Sequence, residues 1–163
     1  RKSLDEKDYK KEAKPYRNID EVKVLFIGES PPEPDPEEDE MPYFYNEDIG
    51  NDRRQLWSKM NNSLDINADS KEEFLNAFKE KGYILDDIFP TYQKKKEYDD
   101  ANGEEKRKLK KEIIERFNSM LQEYNPGKVI FVHMSATREL SLPFPAYGNQ
   151  EKFSKEIKKL LDL

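Results

Sequence analysis

The run VKVLFIG at residues 22–28 is too short for a buried helix, rich in branched residues and closed by a glycine. It does not alternate apolar with polar positions, which suits a strand covered on both faces. KVIFVHM at 128–134 repeats the pattern, GYILDDIFP at 82–90 reads as a strand ended by Pro90, and LSLPFP at 140–145 reads as a short fourth strand running into a loop. Strands covered on both faces need helices on both sides, and helical periodicity fills the segments between them. The expected fold class is α/β, a three-layer α/β/α sandwich with a central four-stranded parallel sheet joined by right-handed crossovers.

Leu56, Trp57, Met60 and Leu64 recur at helical spacing within 51–64. Phe74, Leu75 and Phe78 form the stripe of a second helix, with Ser70 as its cap, Glu73 completing a capping box and Gly82 ending it. The longest helix spans about 104–124, with Leu109, Ile113, Ile114, Phe117, Met120, Leu121 and Tyr124 on one face, and NPG at 125–127 breaks it. Residues 93–108 read as a polar excursion leading into that helix, and Asn149 as the cap of a closing helix with Phe153, Ile157, Leu160 and Leu161 inward. Residues 1–20 read as a charged N-terminal arm and 21–163 as one α/β domain.

Composition narrows the function classes. The chain has 163 residues, 39% of them charged, with no cysteine and a single histidine. Disulfides, thiol catalysis and zinc sites built on cysteine or on several histidines are excluded. No apolar run reaches the ~20 residues of a membrane span, and the first residues carry no hydrophobic signal region. A soluble, cytoplasmic monomer without membrane contact is expected. The net charge of −6 argues against a wholly basic wrapper of nucleic acid, and the lysine runs at 93–97 and 104–112 read first as solvated helix faces. P-loop, dinucleotide-binding and nucleophile-elbow motifs are absent.

In open parallel sheets ligands bind beyond the C-terminal ends of the strands. The residues just past those ends are Glu29, Ser30 and Pro31; Asp86, Asp87 and Phe89; His133, Met134 and Ser135; and Pro143, Phe144 and Pro145. Prolines fix φ, so GESPPEP and LPFP suit turns that hold a group still. MPYFYN at 41–46 offers adjacent aromatics, of which at least one belongs in the core and another suits a platform for a base or sugar. His133, on an apolar strand, reads as a satisfied core histidine.

Apolar strand then GESPP, an aromatic FYN segment, YILDD, VIFVHM and a late LPFPAYGNQEKF loop together resemble the layout of the uracil-DNA glycosylase superfamily. The resemblance covers about residues 20–163, is closest to small microbial glycosylase-like proteins, and GESPP is similar to the GEAPG-type first motif of the thermophile-type branch. It implies a DNA glycosylase that hydrolyses the N-glycosidic bond of a flipped uracil or other damaged base, needs no cofactor or metal, and has single-stranded or lesion-containing DNA as partner. Glu29 would position or polarise the attacking water, with Ser30 shaping the turn. Phe44 or Tyr45 would stack on the base, and Asp86, with Asp87 beside it, would take the base-reading place. Pro143, Phe144, Pro145, Tyr147 and Asn149 would form the loop that presses on the DNA. An ionised Asp86 accepts but cannot donate, so it suits a base with an exocyclic amine unless burial protonates it. Two other readings stand beside this one: a non-catalytic DNA- or nucleotide-binding module on the same fold, and a divalent-metal phosphohydrolase using Glu29, Asp86 and Asp87 as oxygen ligands.

Overall fold

A computed structural model describes residues 5–34, 43–47, 56–132 and 141–142. Three parallel strands, β1 (Val24–Gly28), β2 (Tyr83–Asp87) and β3 (Lys128–Val132), lie in the order β2-β1-β3, and a two-residue β4 (Ser141–Leu142) pairs parallel with Phe131 and Val132 on the far side of β3. The chain is thus α/β around a parallel sheet. Of the fourth strand expected at 140–145, only Ser141 and Leu142 are described.

β1 is buried at all five positions because it is central and covered twice. Val24 and Phe26 point into one cluster with Trp57, Met60, Phe74 and Phe78, while Leu25 and Ile27 point into a second with Ile84, Phe89, Tyr98 and Met120. Alternate side chains of a strand face opposite sides, so the two clusters lie on the two faces of the sheet. α2 (Leu56–Ser63) and α3 (Lys71–Glu80) cover the first, and α4 (Tyr92–Asp100) and α5 (Gly103–Tyr124) the second. No helix among the described residues is long and apolar enough to cross a membrane.

Local signals explain the boundaries. Ser70 Oγ accepts from the Glu73 N–H at 3.2 Å, but the Glu73 carboxylate reaches back to the N–H of Asp69 rather than Ser70, so the expected capping box is shifted by one residue. Gly82 leaves α3 at φ 76°, where a Cβ would stand 3.0 Å from the Glu21 carbonyl oxygen; both conditions favour glycine. The polar excursion expected at 93–108 is instead largely helical. Thr91 caps α4 by accepting from the N–H of Lys94 at 3.1 Å, and Tyr98 alone anchors it, its ring 5.4 Å from that of Phe89. One anchor per helix leaves no periodicity to read. On α5 the inward face is Leu109, Ile113, Phe117, Met120 and Tyr124, whereas Ile114, expected among them, is 59% exposed because it lies a residue off that line.

Residues 6–17, within the stretch read as a charged arm, form α1 (Glu6–Arg17). Asp5 caps it and accepts from the N–H groups of Lys7 and Asp8, while the Asp8 carboxylate returns the contact to the Asp5 N–H. Tyr9 and Ala13 bury one side of α1 in the first cluster. The last turn of α1 then delivers Arg17 to the end of β2.

Candidate functional site

The C-terminal ends of β1 and β2 lie side by side, Gly28 paired with Asp87. Contact continues past the strands, for Ile88 N–H donates to the Gly28 carbonyl at 3.0 Å and Phe89 N–H to that of Glu29 at 2.9 Å. Glu29, Asp86 and Asp87 therefore share one rim, as the arrangement of strands predicts. Glu29 is half-buried with Lys95 Nζ 3.7 Å from its carboxylate, and Ser30 turns its hydroxyl back to the Pro31 carbonyl at 3.1 Å.

The two adjacent aspartates face opposite sides of the sheet and differ in kind. Asp86 Oδ1 meets the guanidinium of Arg17 at 3.1 Å, that of Arg116 at 3.4 Å and the N–H of Asp87 at 2.8 Å; Oδ2 accepts from the Tyr124 hydroxyl at 2.9 Å. With both oxygens so engaged, Asp86 ties α1 and α5 to β2. Burial and the neighbouring Asp86 charge push the Tyr124 hydroxyl well above its ordinary value, keeping it a donor.

Asp87 rests over Gly28, so close that a Cβ built on the glycine would stand 2.5 Å from Oδ1. Among the described residues no hydrogen bond reaches its carboxyl group. Burial is the main reason its pKa is pushed up to about 7; the Asp86 charge adds to this, and Arg17 and Arg116 oppose it. Asp87 shares a hollow of about 10 Å³ with Tyr9, Pro31, Tyr43 and Pro90, the room of a single water.

The aromatic segment is divided in an unexpected way. Phe44 packs edge-on against Phe74 and Phe78 at 5.9 and 5.5 Å. Tyr45 is buried, its hydroxyl accepting from the Leu85 N–H at 2.7 Å and donating to the Leu85 carbonyl at 2.9 Å. Leu85 belongs to β2, whose outer side has no strand neighbour among the described residues, so the phenol takes the place of one. The ring at the Asp87 hollow is Tyr43, packed edge-on against Tyr9 at 4.8 Å. Tyr43 is held from both ends: Arg17 donates to its hydroxyl at 3.1 Å and the buried Lys71 to its carbonyl at 2.8 Å. Burial lowers the Lys71 pKa to about 8.

Arg17, Arg116, Tyr124, Tyr9 and Tyr43 thus complete the rim, although none of them was expected there from sequence. Arg116 had a signal, since it lies three residues after Ile113 and four before Met120 on the inward face of α5. Arg17 had none. A cavity of about 810 Å³ opens beside the rim, between α1, the end of β2 and α5. Of the expected site residues, Pro143, Phe144, Pro145, Tyr147 and Asn149, with His133, Met134 and Ser135, lie outside the described residues. Among the described residues no group of three or more His, Cys, Asp or Glu is arranged to hold a metal ion.

Comparisons of the chain with protein families, with curated proteins and with solved structures find no match, and nothing in them points to the glycosylase superfamily.

Proposed function

We propose that the chain is a three-layer α/β/α sandwich with a central four-stranded parallel sheet of the uracil-DNA glycosylase type, and that its rim hydrolyses the N-glycosidic bond of a flipped uracil or other damaged base in DNA. The observation that carries this reading is the meeting of two unlike carboxyl groups at the adjacent ends of β1 and β2, Glu29 toward Lys95 and Asp87 buried over Gly28. Asp87 takes over the base-reading place from Asp86, whose oxygens are occupied. A carboxyl group that keeps its proton near neutrality both donates and accepts, so it can pair with a base carbonyl and a ring N–H together. Glu29 takes a proton from the attacking water as oxygen bonds to the sugar carbon and the electrons of the broken C–N bond leave with the base. The hollow beside Asp87 has room for one water, so a base reaches the carboxyl only when the turn at Pro31 moves aside.

A second reading, a DNA- or nucleotide-binding module without catalysis, is favoured by the full engagement of Asp86 in holding helices together. One experiment separates the two. Oligonucleotides carrying uracil, hypoxanthine, xanthine or a mismatch are incubated with the protein and tested for alkali-labile abasic sites. Base release is expected, abolished by Glu29→Gln and retained better in Asp87→Asn than in Asp87→Leu. Salt-sensitive binding with no abasic sites on any substrate leaves only the binding module.

A further inference from the structure

The cavity between α1 and α5 carries its own chemistry. Its floor is apolar, formed by Ile88, Phe89, Ile113 and Met120. Its inner end is polar, where Arg17 and Arg116 meet Asp86, and the buried Nε of Arg17 has no acceptor among the described residues. Its outer parts differ in charge: α1 contributes the exposed Lys10 and Lys14 beside Glu6, which bridges to Arg116 at 3.0 Å, while α5 contributes the exposed Glu112 and Glu123, and Lys94 of α4 also lines the cavity. Lys10 is paired with Glu6 and Lys94 with Glu97, whereas Lys14 has no ion pair among the described residues.

These features describe a particular guest. At about 810 Å³ the space is within the range of small-molecule sites, which join a mostly apolar lining to a few convergent polar groups. A flat apolar body lies on the floor, and the glutamates on the α5 side turn an anionic end toward α1. We propose that the cavity binds a small molecule consisting of a flat apolar body and one anionic group, with the anion at Lys14. The proposal does not rest on the glycosidic-bond chemistry proposed for the rim.

The dye 8-anilinonaphthalene-1-sulfonate has this chemistry, and N-phenyl-1-naphthylamine is its uncharged counterpart. Fluorescence titration of the full chain is expected to show one saturable site for the sulfonate and about tenfold weaker binding of the neutral dye. Lys14→Glu, an exposed substitution that leaves the fold intact, weakens the sulfonate about tenfold. Ile113→Trp, checked for cooperative melting, fills the floor and abolishes saturable binding. Adenosine 5′-monophosphate and indole-3-acetate are then used as competitors; displacement by one identifies a phosphate ester or a carboxylate as the preferred anion. Equal affinity for the two dyes, indifference to Lys14→Glu, or displacement by neither competitor overturns the proposal. None of these readings involves base release, so they stand or fall apart from the rim's activity.

Discussion

The carboxyl group of Asp87 occupies the space that a side chain at Gly28 would need, with only 2.5 Å between Oδ1 and the position of a Cβ. Gly28→Ala therefore drives the carboxyl out of its seat and is expected to destabilise the fold by about 1–3 kcal/mol, as overpacking does. The partner's removal tests the cause. In Asp87→Ala the same methyl meets no carboxylate, so a double-mutant cycle in urea should recover most of the cost. Simple additivity of the two losses would show that Gly28 is required for another reason.

Asp87 also imposes a pH dependence. In the folded chain it holds its proton to about pH 7, against an ordinary value of 3.8. The native state therefore binds more protons than the unfolded state between these values, and stability falls as pH rises through that window. Asp87→Asn removes the titration. The variant should gain on the parent between pH 4 and pH 8 by up to a few kcal/mol, read from denaturation midpoints at each pH. A constant difference across the range would contradict this.

Arg17 and Asp86 depend on one another. Asp86→Asn leaves Arg17, almost wholly buried, without its anionic partner and is expected to cost about 3–5 kcal/mol. Arg17→Met is milder, because Arg116 and Tyr124 still serve the carboxylate. Equal losses from the two substitutions would place the value of the pair elsewhere.

Tyr45→Phe keeps the packing of the ring and strips the Leu85 N–H of its only acceptor among the described residues. The Leu85 carbonyl keeps Arg17, which donates to it at 2.9 Å. A loss of about 2 kcal/mol is expected, with amide exchange at Leu85 accelerated beyond that of Ile84. Unchanged exchange at Leu85 would mean that the phenol does not protect the edge.

The strands could be read from sequence because burial on both faces writes itself as an unbroken apolar run. Their shared rim followed from the parallel order, which sets Gly28 beside Asp87 and so brings Glu29, Asp86 and Asp87 to one edge. Less legible was whatever one or two residues hold in place: α1 by Tyr9 and Ala13, α4 by Tyr98. The choice among Tyr43, Phe44 and Tyr45 was beyond sequence, since three consecutive aromatics look alike until tertiary contacts divide them among core, strand edge and rim. The distinction between Asp86 and Asp87 was equally hidden, because it depends on arginines distant in the chain.

The phenol set against Leu85 has a consequence beyond this molecule. An outermost strand ordinarily offers its backbone to any other extended chain, which is how sheets of separate molecules fuse. At the centre of β2 both backbone groups of Leu85 are already taken by Tyr45, with Arg17 as a second donor to the carbonyl. Lateral self-association through that flank would have to displace a buried ring before the first intermolecular bond could form.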